Sequence, residues 1–300
     1  MLSALVMIGL VAGWSCRAPQ AGGAKSIVVT YSVLGSIVKE LVDDQAAVAV
    51  TVPNGVDPHE YQPSVKDIEA INRADLVIEN GLGLESGMAR ALAEARRGGV
   101  RVFTATDHIS VRRVGAGEGV SGGPDQATGA ADPHFWTDPL AIEAVVHALV
   151  PELEESLGID LSQQAADLGY RLDRLNYETS KTVATVPLND RKLVTGHESM
   201  GYFADRFGFK LVGVIVPGLS PQAEVSPADL AVLQKVIEDN QVKAIFTELG
   251  TSPALAKAIG DATGVRVVEL TTHALPADGS YFTFMTNLAQ VICGPLRASP

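Results

Sequence analysis

Between Leu161 and Val186 the apolar positions Leu161, Ala165, Leu168, Leu172, Leu175, Thr179, Val183 and Val186 recur at spacings of 4, 3, 4, 3, 4, 4 and 3. One stripe therefore persists along a single helix for roughly seven turns. Such a helix is too long to be an ordinary crossover between neighbouring strands. The spacing predicts a rigid rod closed by Pro187 and Asn189, with the rest of the chain arranged on its two sides.

On both sides the pattern is the same. Before the rod, β-branched runs at 27–31, 48–52, 76–79 and 100–104 read as strands and alternate with helical patterns at 34–42, 65–73 and 84–97. A further helix runs from Asp138-Pro139 to about residue 157. After it, strands at 192–195, 210–216, 244–248 and 265–270 alternate with helices at 199–207, 227–240, 252–263 and 281–292. Ser226-Pro227 places a capping serine and a first-turn proline at a helix start, and Gly264 stands where the preceding helix should stop. Strands alternating with helices imply mostly parallel sheets covered on both faces, so the fold class is α/β with two similar lobes. The expected organisation is a first lobe over 25–157, a linker helix over 158–188 and a second lobe over 189–300. An apolar fraction of 46% is ample for the cores this requires.

Residues 1–24 read differently. Leu2 to Gly13 is an apolar run too short to span a bilayer as a mature helix, and it leads through Trp14-Ser15 to Cys16. That is the layout of a signal peptide ending at a lipoprotein cysteine, although no Lys or Arg precedes the run and Trp14 is bulky for the position. Cleavage near Ala18 or Ala24 without lipidation is the plainer alternative. A lipidated Cys16 leaves Cys293 alone, so no internal disulfide is expected. A net charge of −12 and the absence of a Lys/Arg cluster argue against nucleic acid as a partner. From 110 to 131 the chain is Gly-rich without apolar periodicity, which reads as a mobile flap or, equally, as a passive surface insertion.

The histidines carry the chemistry. Asp57-Pro58-His59 is repeated as Asp132-Pro133-His134, whereas a given tripeptide should occur by chance roughly 0.04 times in a chain of this length. Proline fixes its own φ and holds the preceding residue extended, so each copy presents its imidazole from a stiff backbone. His59, His134, His197 and His273 all follow predicted strands, at the edge where open α/β sheets bind ligands. Their separations of 75, 63 and 76 residues exclude a local finger and fit a site between lobes. Neutral imidazole suits zinc, which favours four-coordinate nitrogen or mixed nitrogen and oxygen sites. His147 lies mid-helix and reads as a structural or surface residue, and His108 reads as a plain loop residue. Glu248, ending a strand, is a candidate oxygen ligand or a partner for an imidazole N–H; Glu60 is a further candidate carboxylate.

These residues resemble the zinc/manganese substrate-binding proteins of bacterial ABC importers over 26–292. The likeness rests on the run from Asp57 through Glu60-Tyr61-Gln62-Pro63-Ser64 and on Asp132 through Phe135-Trp136-Thr137-Asp138-Pro139. It rests too on Gly196-His197 with Tyr202-Phe203-Ala204 and Phe207-Gly208, on Gly218-Leu219-Ser220-Pro221 with Glu224 and Pro227, and on Phe246-Thr247-Glu248. The resemblance implies two Rossmann-like lobes joined by a long helix, with one metal in the cleft. It implies His59 and His134 as ligands from the first lobe and His197 from the second. The fourth position, usually a carboxylate in this family, falls on His273, with Asp278 or Glu248 as fallbacks. Histidine rather than glutamate at the third position points to zinc over manganese, and the flap lacks the histidines that many zinc relatives carry.

The expected protein is an exported, lipid-anchored monomer that is not an enzyme, captures Zn²⁺ as cargo and delivers it to an ABC permease. Because the long helix limits hinge motion, release should depend on the flap and ligand loops. The rivals are a manganese carrier of the same fold, a zinc hydrolase using Glu60 or Glu248 as general base, and an adhesin or periplasmic metallochaperone.

Overall fold

The computed structural model describes residues 25–115, 118, 128–219, 221 and 224–297. The leader, Cys16 and most of the Gly-rich segment lie outside the described residues. In the first half, β1 (Ser26–Tyr31), β2 (Ala47–Val52), β3 (Leu76–Glu79) and β4 (Arg101–Thr104) form one all-parallel sheet in the order β2-β1-β3-β4. Ile27, Val28 and Val29 of β1 and all of β3 are buried, as expected of strands covered on both faces. The helices between them are α1 (Ser32–Val42), α2 (Val65–Arg73) and α3 (Ala89–Arg97).

The second half repeats this order. Strands β5 (Lys192–Thr195) and β6 (Lys210–Val214) pair in parallel, as do β7 (Ala244–Thr247) and β8 (Arg266–Glu269). With β7 beside β5, the sequence across the lobe is β6-β5-β7-β8, the first lobe's order advanced by four. In each lobe the chain moves outward from the first strand, then crosses to its other side, which creates a switch point at the carboxyl edge where a ligand crevice forms. His134 and His273 both follow the fourth strand of their lobe; His59 follows the second strand of the first lobe, and His197 the first strand of the second.

The two halves are joined by α4 (Pro139–Leu157) and the rod α5 (Ser162–Ala184). Asp138 caps α4 by accepting the Leu140 N–H at 2.9 Å, Pro139 occupies its first turn, and Gly158 ends it in the left-handed region at φ 72°. The 23 residues of α5 bury Leu168, Leu172, Leu175, Thr179 and Val183, which is the stripe the spacing gave. This rod packs on α1 and α4 from one side and on α6 (Gly201–Phe207) and α9 (Tyr281–Leu296) from the other. The main apolar core is consequently continuous from Ile27 and Leu34 through Leu172 to Leu193, Phe246 and Tyr281. A smaller core lies between the second sheet and α7 (Pro227–Asp239) and α8 (Pro253–Thr263). Cys293, on α9, is buried and free. No helix among the described residues is long and apolar enough to cross a membrane.

One helix is shorter than its pattern. The expected helix over 84–97 is a 3-10 turn at Ser86–Met88 followed by α3. Leu82 and Gly83 take φ values of 53° and 79°, and the Glu85 carboxylate turns inward to accept from Thr30 Oγ1 at 2.6 Å and the Asn80 N–H at 2.7 Å. Burial pushes the Glu85 carboxyl up to about 7, against the pull of those donors.

The continuous core sets an expectation for the rod. Leu172 is fully buried and Tyr170 is 68% exposed on the same helix. Leu172→Ala should cost about 3 kcal/mol and lower the thermal midpoint by several degrees, while Tyr170→Ala should leave it almost unchanged; calorimetric melts of both variants check this.

Candidate metal centre

Both Asp-Pro-His segments fold by the same local device. Asp57 Oδ1 accepts the backbone N–H of His59 at 2.9 Å, and Asp132 Oδ1 accepts that of His134 at 2.9 Å. The intervening proline removes a competing donor and fixes φ, so the aspartate two residues back closes a tight turn and the imidazole projects from it. The recurring tripeptide is thus a backbone motif as much as a side-chain one.

The aspartate of the second copy does more. Its Oδ1 also lies 2.8 Å from His134 Nδ1. A carboxylate there accepts a hydrogen bond from Nδ1–H, which keeps the proton on Nδ1, leaves the Nε2 lone pair free and orients the ring. In the second lobe Glu248 plays the corresponding part. Its Oε1 accepts the His197 backbone N–H at 3.1 Å and stands 3.2 Å from His197 Nδ1. Its Oε2 accepts from Ser199 Oγ at 2.5 Å and from Thr272 Oγ1 at 2.7 Å. The Thr272 hydroxyl has only one proton, so toward His273 Nδ1, 2.8 Å away, it must accept. That fixes the His273 proton on Nδ1 and again frees Nε2.

The free nitrogens converge. His59 Nε2 lies 3.1 Å from His134 Nε2, which lies 3.4 Å from His197 Nε2, and one ligating atom from each of the four histidines lies within 4.8 Å of the others. Nitrogens bound to one tetrahedral zinc at its usual bond length would be separated by about 3.3 Å. Among the described residues this is the group of His, Cys, Asp and Glu side chains arranged to hold a metal, and all four members are buried.

Burial and mutual proximity set the charge. Burial and then its histidine neighbours hold His59 far below the ordinary imidazole range, and burial lowers His134 despite Asp132. His273 is pushed down to about 3 by burial and by His197. His197 goes the other way: burial disfavours its charge, but the Glu248 carboxylate outweighs that and raises it. Glu248 itself is held well below the carboxylate range, because His197 and its hydroxyl donors overcome its burial.

Trp136 closes the site from behind. Its Nε1 donates to the Thr272 carbonyl at 2.9 Å, its own carbonyl accepts from Tyr281 Oη at 2.8 Å, and its ring sits 5.3 Å from His134 and 5.4 Å from His273. One indole therefore joins the loop of a first-lobe histidine to that of a second-lobe histidine. The sequence placed Trp136 only within a motif; the aromatic directly after a ligand turn was the available signal. Ser199 and Thr272 carried none, being ordinary hydroxyls until Glu248 is between them.

The remaining candidates stand apart. Asp278 is exposed at the start of α9, where its carboxylate accepts from the Ser280 N–H at 3.0 Å and Thr283 Oγ1 at 2.6 Å. Glu60 and His147 are exposed, and His108 is exposed with its ring stacked on Phe103 at 4.5 Å. Glu248 is buried behind the histidines.

The model of the family described as "Zinc-uptake complex component A periplasmic" (ZnuA) matches residues 27–293. The chain belongs to this family. Relatives include the manganese-binding lipoprotein MntA of Halalkalibacterium halodurans, 25% identical over 285 residues covering 92% of this chain and 90% of the relative. The solved structure of the periplasmic zinc binding protein TroA from Treponema pallidum superposes with a TM-score of 0.78 at 26% identity, over 92% of this chain and 100% of that one. The laminin binding protein Lmb of Streptococcus agalactiae, described as bifunctional with adhesin and metal transporting activity, gives 0.74 at 28% identity, over 92% and 100%. Two lobes with parallel sheets joined by a long helix is the architecture this ZnuA-family chain shares with them.

The pKa directions set how the metal-free protein responds to acid. His59, His134 and His273 have folded values below the unfolded one near 6.5, so the stability they contribute is present above that pH and is lost as pH falls toward their folded values. His197, raised, contributes below 6.5 and loses that as pH rises through its folded value. With three groups opposing one, metal-free protein should melt at a lower temperature at pH 5 than at pH 7.5, as thermal denaturation followed by circular dichroism will measure.

Proposed function

We propose that this protein captures Zn²⁺ at His59, His134, His197 and His273 and delivers it to the integral-membrane permease of an ABC importer. Family membership carries the coarser part: the ZnuA family comprises metal-binding substrate-binding proteins of such importers, transport components and not enzymes. The observation that supports the finer part is the convergence of four buried imidazoles, each with its second nitrogen or backbone tied to a carboxylate or hydroxyl behind it. Four neutral nitrogens fill zinc's preferred coordination number, so the metal is held as cargo without the open position a hydrolase would need. Glu248, with both oxygens engaged, serves to orient ligands in this reading, and Glu60 faces solvent.

Relatives are named for zinc and for manganese, and the donor set separates the two. Manganese is harder and suits carboxylate, carbonyl and water; an all-imidazole site suits zinc. We assign the first lobe to 25–157, the connecting segment to 158–188 and the second lobe to 189–300. The working form is a monomer outside the cytoplasm, tethered through lipid on Cys16, in keeping with the lipoprotein names of relatives such as AdcA of Streptococcus pneumoniae.

Isothermal titration checks the site. His134→Ala and His197→Ala should each weaken zinc binding by at least about a hundredfold, since even partners of ligands are worth 10- to 100-fold. His273→Ala should do likewise if histidine is the fourth ligand, and unchanged affinity in all three variants would sink the assignment. For metal choice, manganese in about a hundredfold excess should fail to displace bound zinc in a competition dialysis read by elemental analysis.

A further inference from the structure

The two Asp-Pro-His turns match in backbone and differ in what holds the second carboxylate oxygen. Asp57 Oδ2 is buried and has no hydrogen-bond partner among the described residues. Asp132 Oδ2 instead accepts from Arg112 Nη1 at 3.3 Å. The Arg112 side chain is 5% exposed and distributes its other donors: Nε to Asp205 Oδ2 at 2.9 Å and Nη2 to Glu118. Its backbone N–H donates to the Tyr202 phenol oxygen at 2.8 Å. Tyr202 and Asp205 belong to α6, the helix that follows His197. At the first position of that helix is Gly201, where a Cβ would run into the guanidinium and stand 2.6 Å from Asp132 Oδ2. The helix start is therefore shaped around this ion pair.

A neighbouring contact shows what a plain bridge between lobes looks like. Arg206 of α6 grips Asp138 with two bonds of 2.8 Å, and Asp138 caps α4 without touching a histidine. Arg112 makes the same kind of cross-lobe pair with Asp205, and within its own lobe it also holds the carboxylate that binds His134 Nδ1. One guanidinium thus contacts both the group that orients His134 and the helix that follows His197.

We propose that Arg112 is a positioning residue of the metal centre. It holds Asp132 so that His134 presents Nε2 in a fixed direction and at a fixed distance from His197, making His134 the fixed corner of the site. The planar fork can engage Asp132 and Asp205 at once, which a lysine ammonium cannot do with the same geometry. The inference rests on the zinc reading of the four histidines.

The test uses the full chain as wild type, Arg112→Met, Arg112→Lys and Arg206→Met. Zinc affinity is read against a chromophoric chelator, zinc loss by stopped flow, coordination geometry by the visible spectrum of the Co²⁺ form, and folding by the thermal midpoint. Arg112→Met should weaken zinc binding about 10- to 100-fold, chiefly through faster loss, and alter the Co²⁺ bands. Arg112→Lys should show a smaller loss in the same direction. Arg206→Met should lower the thermal midpoint with affinity within about twofold of wild type, since its partner touches no ligand. Arg112→Met with wild-type affinity and an unchanged Co²⁺ spectrum overturns the proposal, as does a loss no larger than that of Arg206→Met. If Arg112→Met does not fold, Arg112→Lys decides, and its indistinguishability from wild type in affinity, rate and spectrum overturns it. A wild-type chain that takes up no zinc fails the site reading itself, whereas failure confined to the Arg112 comparison leaves that reading standing.

Discussion

An imidazole has two nitrogens, and it can offer one inward with a defined geometry only if the other is held. The whole site depends on that constraint. His134 is held by Asp132, and His273 by Thr272 under Glu248; the same Glu248 anchors the backbone of His197 and faces its ring. Each holder must itself be fixed, and two of the fixing bonds cross between the halves of the fold: Trp136 in the first lobe ties down the Thr272 carbonyl, and Tyr281 in α9 ties down Trp136. The chemistry at the centre is therefore only as well defined as the packing between the lobes.

That packing is continuous from one lobe to the other. A core running from Ile27 to Tyr281 through Leu172 leaves no slack linker about which the lobes could swing. Opening the cleft by rigid rotation would expose apolar surface on both sides of α5, at roughly 25 cal/mol for each Å². Movement of a ligand loop exposes far less. Gly250, two residues beyond Glu248, sits at φ 86° in the left-handed region, where a short loop can change direction without strain. If zinc is the cargo, loop movement with the rod unmoved is the less costly route for its exchange.

What the sequence disclosed follows from range. The stripe of α5, the strand alternation and the capping of α7 by Ser226 and Pro227 are local patterns, and all are realised. The four strand-end histidines were legible because topology alone delivers strand ends to one edge. The groups that orient them were mostly not, because their contacts span the chain: Trp136 to Thr272 across 136 residues, Arg112 to Asp205 across 93, Ser199 to Glu248 across 49. Asp132 and Glu248 are the exceptions: the partner of Asp132 lies two residues away and the repeated tripeptide marked it, and Glu248 was marked by its place at a strand end. The break in the helix expected over 84–97 has the same origin: Glu85 fits the helical pattern locally, and a bond from Thr30, 55 residues away, turns its carboxylate inward instead.

Charge completes the picture. Two buried carboxylates, Asp132 and Glu248, stand behind the histidines: Arg112 pairs with the first, and the second faces His197, whose pKa it raises. Each of these two carboxylates therefore has a basic partner, whereas the buried Asp57 leaves its Oδ2 without a hydrogen-bond partner among the described residues. Asp132 and Glu248 each face a histidine ring and each divide their oxygens with other donors, Asp132 with Arg112 and Glu248 with Ser199 and Thr272, so the two sides of the centre are built on one plan.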